Sequence, residues 1–215
     1  MKNLLKISIL LTTMTVVMMN FWGCSKEETE SKDSLVSGGF NGKISATVDD
    51  EDWDLSPVKQ VVPWNSPEID MENGILLGKQ MGEPVSFSSN KFTVSLLDPP
   101  PASVDMVSIK YAFENFLNLS GKLKYSDPDV MVADVDFLAY TNDGFSGYFL
   151  NTTTDKKTTC FYIYVESDVT VTGGSNVSVS LEEGWNRIYY TEGGSGKYTT
   201  KAPSGNLKWY YYNFF

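Results

Sequence analysis

The sequence predicts an all-β fold, namely an antiparallel β-sandwich of the Ig-like or jelly-roll-like kind with at most one short helix. Apolar and polar residues alternate with a period of two in many short segments, which is typical of strands with one buried face. Glycine-containing turn signals separate these segments. The 215-residue chain is 41% hydrophobic and 13% aromatic, which is enough for one packed core.

Four segments show the clearest alternation, and every second residue in them is predicted to face the core. These residues are Ile44, Ala46 and Val48, then Phe92, Val94 and Leu96, then Val177, Val179 and Leu181, and finally Leu207, Trp209 and Tyr211. Further strands are predicted over residues 131–140, 147–150, 161–165 and 187–191. Turns are predicted at residues 142–144, 173–174 and 193–196, where glycines are concentrated.

The segment after three consecutive prolines, residues 99–101, departs from this pattern. Val104, Val107, Tyr111 and Ala112 have the spacing of a short amphipathic helix that begins near Ser103. Alternation of Val107, Ile109, Tyr111 and Phe113 also fits another strand. The helix is favoured over the strand, and neither changes the fold class.

The charge and the residue types exclude several classes of function. The chain has 27 acidic and 17 basic residues and a net charge of −10, so we expect no nucleic-acid partner, because phosphate binding needs a basic face. It has no histidine, which excludes His-based triads and His metal ligands. No motif indicates a cofactor, and none identifies a catalytic residue.

The first 23 residues have the features of a secretion signal. Lys2 and Lys6 supply a charged start, and an uncharged, mostly apolar stretch follows up to Trp22. A small residue, Gly23, directly precedes Cys24, which is the arrangement that lipoprotein signal peptidase requires. We therefore predict a signal peptide over residues 1–23 and lipidation at Cys24.

The polar composition after Cys24 predicts a flexible tether over residues 24–39. The remaining residues, 40–215, are predicted to form a single β-sandwich domain.

The start of the predicted mature chain resembles a known group of proteins. Gly23-Cys24-Ser25-Lys26-Glu27-Glu28 is similar to the start of surface lipoproteins of the Bacteroides group, where acidic residues after the lipidated cysteine resemble a surface-export signal. The stretches 42–53, 183–186 and 207–209 more loosely resemble small β-rich lipoproteins of that group, which largely lack an assigned activity. The resemblance implies a lipid-anchored protein of the outer membrane that faces the cell exterior.

Cys160 is predicted to be a buried, unreactive thiol. Once Cys24 carries lipid, the second of the two cysteines has no disulfide partner. It lies in a strand-like run, and no histidine is present to generate a thiolate.

One acidic run is a weak candidate for a calcium site. Asp50, Asp52 and Asp54 have the one-three-five spacing of a calcium loop, but Leu55 and Val61 stand where that loop needs glycine and a bidentate glutamate. A solvated hairpin turn after the first strand is the favoured interpretation of this run.

Two pairs of carboxylates have the spacing for general acid and base chemistry, Asp134 with Asp136 and Asp127 with Asp129. Residues two apart on a strand share one face at about 6.5 to 7 Å, a separation that glycoside hydrolysis can use. Outward-facing solubilising charges on an ordinary alternating strand explain Asp134 and Asp136 as well, and we expect this role for them.

The tryptophans are the other candidate functional residues, because their ring faces stack on sugar rings. Trp53, Trp185 and Trp209 are expected in the core from their strand positions. Trp64 lies between Pro63 and Asn65 and is expected in a loop, which makes it the candidate ligand-binding aromatic.

The sequence thus favours a non-enzymatic cell-surface lipoprotein whose β-sandwich binds a ligand, with a glycan or an envelope protein as the expected partner. The alternative is a small hydrolase that uses Asp134 and Asp136. Aromatic and acidic side chains clustered in one concave site would favour the hydrolase, whereas a flat face with isolated aromatics would favour binding.

Overall fold

The computed structural model describes residues 37–49, 53–70, 75–116, 119, 123–174, 176–193 and 196–213. Within them the fold is all-β, as predicted. The strands are β1 Lys43–Asp49, β2 Gln60–Asp70, β3 Ile75–Gln80, β4 Val85–Ser86, β5 Lys91–Ser95, β6 Val107–Ser108, β7 Lys124–Tyr125, β8 Met131–Thr141, β9 Gly144–Thr153, β10 Thr158–Val165, β11 Val169–Gly173, β12 Val177–Leu181, β13 Gly184–Thr191, β14 Lys197–Thr199 and β15 Leu207–Asn213.

The strands form one bent, mixed sheet in the order β5-β1-β15-β9-β8-β10-β13-β14-β12-β11-β7, and β2 extends it by pairing with β8, β3 and β4. Among the described strands the sheet is not closed. Most pairings are antiparallel, but β1 with β15 and β12 with β14 are parallel. β8 is the branching strand, because its first half pairs with β10 and its second half pairs with both β9 and β2.

The main hydrophobic core lies on one face of the central strands, with β1 and β5 packed over it in a sandwich-like arrangement. β1 buries every second residue, Ile44, Ala46 and Val48, against β8, β10 and β15. This alternation is the one that the sequence predicts. Trp185 and Trp209 lie in this core, with 2% and 6% of their surfaces exposed.

Trp53 does not follow the expectation for a core tryptophan. Its side chain is 44% exposed and makes an edge-on ring contact with Tyr211 at 6.3 Å between centroids. The reason is that Trp53 comes after β1 has ended, in an irregular segment, and not within a strand.

A second hydrophobic core lies on the opposite face of β10 and β13. Ile163, Val165 and Ile188 point into it, and β11, β12 and β14 fold over it. β10 and β13 are therefore buried on both faces.

A short helix, α1 (Ile109–Tyr111), closes one end of this second core and continues as a π-helical turn, Ala112–Phe116. The Ser108 hydroxyl accepts the N–H of Tyr111 at 3.2 Å and caps the helix. The helix exists as predicted but begins later than Ser103, because β6 first pairs Val107 with Val132 of β8.

β2 is the longest element that the sequence pattern did not predict. Pro63 and Pro67 lie within it and argued for a loop. The first, Pro63, pairs with Phe137 and accepts the N–H of Met81 at 2.9 Å through its carbonyl. The second lies where the register of β2 against β3 shifts between Asn65 and Glu68, a bulge that tolerates a missing N–H.

The ordered domain begins earlier than Phe40. The N–H of Gly38 donates to the carbonyl of Ser180 at 3.1 Å, and its carbonyl accepts the N–H of Arg187 at 2.9 Å. The last three residues of the predicted tether are therefore bound to β12 and β13. The predicted signal peptide, Cys24 and the rest of the tether lie outside the described residues.

Across the described ranges, no helix combines the length and apolar character needed to cross a membrane.

Candidate functional site

Asp134 and Asp136 lie on the face of β8 that points away from the main core. Their neighbours Ala133, Val135 and Phe137 are buried in that core, so the pleat of the strand directs both carboxylates to the other side. That side is covered at this point by β2, β3 and the α1 segment, which all contribute to the surrounding cavity. The expectation of outward-facing solubilising charges is therefore wrong.

The two carboxylates line a cavity of about 320 Å³. Most of its other walls are apolar or aromatic. They come from β6, α1 with its π-helical turn, β8, β10, β13 and β14, and include Val107, Ala112, Phe113, Val132, Phe161, Tyr162, Ile163, Ile188 and Tyr198, while Asn65, Gly78, Lys79 and Asp105 complete the lining. This arrangement of a concave apolar pocket with a few polar groups is typical of small-molecule sites.

Asn65, the last residue of β2 before its bulge, holds the Asp134 side chain. Asn65 is 4% exposed, and its Nδ2 donates to the backbone carbonyl of Asp134 at 3.1 Å and to Asp134 Oδ1 at 2.8 Å. Because one amide group binds both the main chain and the carboxylate, the Asp134 side chain is fixed in one orientation.

Asp136 differs from Asp134 in having a carboxylate oxygen without a partner. Its Oδ2 is shielded from solvent and has no hydrogen-bond partner among the described residues. Burial, and secondarily the negative charge of Asp134, raises the pKa of Asp136 to about 8. Asp136 is therefore mostly protonated at pH 7 and can donate a hydrogen bond as well as accept one.

Trp64 lies in β2 and is half-buried, so its expected placement in a loop is wrong. The register nonetheless brings it to the face that carries Asp136. Val62 of β2 pairs with Leu138 of β8, and the two strands are antiparallel. Trp64 is two residues after Val62 and Asp136 is two residues before Leu138, so their side chains lie on the same face.

A pair of tyrosines extends the same face across β9 and β15. Leu138 pairs with Tyr148, and Tyr148 pairs with Tyr212. The two tyrosine rings stack at 5.5 Å with their planes 13° apart. Burial raises the pKa of Tyr148 to about 12, with smaller contributions from Tyr212 and Asp136, which indicates that Tyr148 is near Asp136.

A more open cleft lies where β1 and β15 diverge. The two strands pair only at Val48 with Trp209 and at Asp49 with Tyr210. Toward the start of β1 they separate around Asn151, in spaces of about 480 and 200 Å³. The Nδ2 of Asn151 donates to the Tyr162 hydroxyl at 2.8 Å, and its Oδ1 has no partner among the described residues. This cleft is less enclosed than the Asp136 cavity.

The other predicted site residues are not brought together. Asp54 is exposed, and its carboxylate accepts the N–H of Ser56 at 2.9 Å, which lowers its pKa. Asp50 and Asp52 lie outside the described residues. Within the described part of the chain, no group of three acidic or cysteine side chains is placed to hold a metal ion. Asp127 and Asp129 are both exposed.

Cys160 is buried in the main core with 3% of its surface exposed, as predicted. Burial raises the pKa of its thiol to about 12, so the thiol is protonated at neutral pH and is not a nucleophile.

The sequence pattern did not indicate the walls of the cavity. Asn65 had no periodic signal, and Phe113, Phe161 and Tyr198 come from segments that are distant along the chain. Only the alternation of β8, which places Asp134 and Asp136 on one face, pointed to this location.

Comparison of the chain with protein-family models, curated proteins and solved structures finds no match.

Proposed function

We propose that the chain is a lipid-anchored cell-surface binding protein whose ligand occupies the Asp136 cavity. The observation that carries this proposal is the solvent-shielded Oδ2 of Asp136, which has no hydrogen-bond partner among the described residues and lies at an otherwise largely apolar cavity. An unpaired buried polar atom costs roughly 1 to 3 kcal/mol. A ligand that donates a hydrogen bond to it recovers that cost.

The size and lining of the cavity support a small ligand with an apolar body. A cavity of about 150 Å³ with apolar walls binds benzene. The volume here is about 320 Å³, which suits a ligand on the order of 12 non-hydrogen atoms by the same proportion. Phe113 and Tyr198 are each 1% exposed, so the aromatic walls are held by packing and form a rigid surface.

The surface location rests on the sequence. The apolar leader before Gly23, the lipidation candidate Cys24 and the acidic residues Glu27 and Glu28 support export and anchoring. Two acyl chains on one cysteine give stable attachment to a membrane.

Aromatic side chains beside the cavity support a glycan as a competing ligand. Trp64 shares its face with Asp136, and the stacked pair Tyr148 and Tyr212 lies on the next two strands. Such rings stack on sugars at on the order of 1 to 3 kcal/mol per ring. Sugars therefore belong in any ligand panel, although the apolar lining favours a less polar body.

The test is a panel of neutral apolar fragments of about 8 to 13 non-hydrogen atoms, together with mono- and disaccharides, measured by ligand-observed NMR. Ala112, which is 8% exposed and lines the cavity, is replaced by Leu to fill it. Ala102, which is exposed, is replaced by Leu as the matched control. We expect fragments to bind the wild type and Ala102→Leu and to lose binding to Ala112→Leu. Equal binding to all three proteins, or no binding to the wild type, contradicts the proposal.

If saccharides bind instead, replacing Trp64 by Ala locates them. Loss of saccharide binding in Trp64→Ala, with fragments still bound, assigns the sugar to the aromatic face beside the cavity. Undiminished saccharide binding in this variant removes Trp64 from the site.

A second candidate function, hydrolysis, is favoured by one specific observation. A protonated Asp136 lies two residues from Asp134 in one concave site, the pairing of an acid and a base that glycosidases use. Two carboxyls about 6.5 to 7 Å apart fall at the lower edge of the separation of inverting enzymes. In this scheme Asp136 protonates the leaving oxygen and Asp134 activates a water molecule.

Hydrolysis is tested with a panel of nitrophenyl glycosides. We expect turnover to be lost in Asp136→Asn and in Asp134→Asn if this candidate is correct, while Asp129→Asn, on an exposed residue, retains it. No turnover by the wild type, or equal turnover by all three variants, removes the candidate.

A further inference from the structure

The charges around the cavity are unbalanced. Among the described lining residues, the acidic side chains are Asp105, Asp134 and Asp136, and the basic side chain is Lys79. Lys79 and Asp105 are both exposed, so Lys79 is a poor counterion for the shielded Oδ2 of Asp136. The carboxylates in the enclosed part of the site are therefore Asp134 and Asp136, with no enclosed basic side chain beside them among the described lining residues.

We propose that the ligand of this cavity is an amine with an aromatic body, bound with its ammonium group against Asp136 and Asp134 and its ring between the aromatic walls. This inference rests on the proposed binding function and names its ligand class. An ammonium group carries donors and no acceptor, which matches an unpartnered carboxylate oxygen.

The positions of the polar groups favour an ammonium over other cations. Asn65 binds Oδ1 of Asp134, whereas Oδ2 of Asp136 is shielded and has no hydrogen-bond partner in the described part of the chain. A divalent metal needs several oxygen ligands at once, and within the described ranges no three His, Cys, Asp or Glu side chains are grouped to hold a metal ion. An ammonium group presents its three N–H donors from one atom, so it needs fewer protein ligands than a divalent metal.

The aromatic walls support the second half of the ligand. Phe113, Phe161 and Tyr198 line the cavity, and Tyr198 is tilted against Tyr190 at 4.8 Å between centroids, which holds it in place. An aromatic ring gains edge and face contacts with such walls beyond the area that it buries.

Binding of an ammonium group is coupled to a proton. With a pKa of about 8, Asp136 is mostly protonated at pH 7, whereas the ammonium is best bound by the carboxylate. The proton of the Asp136 carboxyl passes to the buffer, and the ion pair forms in its place. The charged or titratable groups around Asp136 are Asp134 on its own strand, Asp105, Lys79, Tyr148 and Tyr198, whereas the Tyr162 side chain lies in the main core on the other face of the sheet. The tyrosines are neutral at pH 6 to 8, because burial raises the pKa of each.

The experiment compares three probes that share an indole ring: tryptamine, its alcohol tryptophol and the acid indole-3-acetate. Isothermal titration calorimetry is run at pH 6, 7 and 8 in two buffers of different ionisation enthalpy. We expect tryptamine to bind at least tenfold more tightly than tryptophol at pH 8, since a charge-assisted bond is about twice as strong as a neutral one. We expect indole-3-acetate not to bind.

The pH dependence is specific to the amine. Between pH 6 and pH 7 tryptamine affinity rises about tenfold, with about one proton released per ligand, and it levels off above pH 8. Tryptophol affinity changes little. Replacing Asp136 by Asn removes the preference for the amine and the proton release but keeps tryptophol binding, whereas Asp129→Asn retains both.

The outcomes separate this inference from the binding function on which it rests. Tryptophol binding as tight as tryptamine binding, or tryptamine binding without proton release, overturns the amine inference and leaves the cavity as a ligand site. Failure of all three probes also overturns it, and the neutral fragment panel with Ala112→Leu then decides the binding function separately.

Discussion

Replacing Asp136 by Asn should make the protein more stable relative to wild type as the pH rises. A carboxyl whose pKa is raised on folding stabilises the native state most fully below its unfolded pKa, and this contribution is lost as the pH rises through the folded pKa. For Asp136 these two values are 3.8 and about 8. Asparagine has nearly the same shape as aspartic acid and does not titrate, so the variant does not lose this stability as the pH rises.

The expected size follows from the same two pKa values. One pKa unit corresponds to about 1.4 kcal/mol, so the stability difference between Asp136→Asn and wild type should grow by about 3 kcal/mol between pH 5 and pH 7. We compare the variant with wild type at each pH because the other titratable groups contribute equally to the unfolding free energy of both proteins, so their contributions cancel.

The assay is urea unfolding, followed by tryptophan fluorescence at pH 5, 6 and 7. Asp129→Asn is the control, because an exposed substitution should change stability by within about 0.5 kcal/mol at each pH. If the difference in unfolding free energy between Asp136→Asn and wild type stays the same from pH 5 to pH 7, Asp136 is an ordinary ionised carboxylate. That result would refute the reasoning about the cavity.

Three further predictions concern other parts of the chain. Trp185→Ala should lower the free energy of unfolding by about 3 to 5 kcal/mol, since Trp185 is 2% exposed and its Nε1 donates to the Leu97 carbonyl at 2.8 Å. Trp53→Ala, on a 44% exposed residue, should lower it much less, and equal losses in urea unfolding would be inconsistent with this packing. Cys24→Ala should move the protein from the carbonate-washed membrane fraction to the soluble fraction, and retention in the membrane would argue against lipidation. Cys160 should react with Ellman's reagent at pH 8 only after unfolding, and immediate reaction in the native protein would contradict its burial.

Local alternation predicted the strands whose two faces differ. Ile44, Ala46 and Val48 alternate with polar residues because β1 has one buried and one exposed face, and such a pattern is legible in sequence. β2 was not predicted, because its two prolines argue against a strand. The bulge that tolerates Pro67 arises from the pairing of β2 with β3, which the local sequence does not reveal.

The sequence predicted only the part of the site that lies on a single strand, β8. The spacing of Asp134 and Asp136 places both on one face of β8, but it does not say what covers that face. Asn65 and Phe113 reach it through the pairing of β2 with β8 and the packing of the α1 segment, which are long-range contacts. For the same reason burial of Asp136 could not be predicted from its polar residue type.

The most direct test of the ligand cavity is a crystal structure of the protein soaked with 5-bromotryptamine, in which anomalous scattering locates the bromine. We expect one bromine site within the cavity walls formed by Phe113, Phe161 and Tyr198, with the amine nitrogen within hydrogen-bond distance of Asp136 Oδ2. A bromine in the cleft between β1 and β15, or an empty cavity at saturating ligand, would contradict the assignment of this cavity as the site of an aromatic amine.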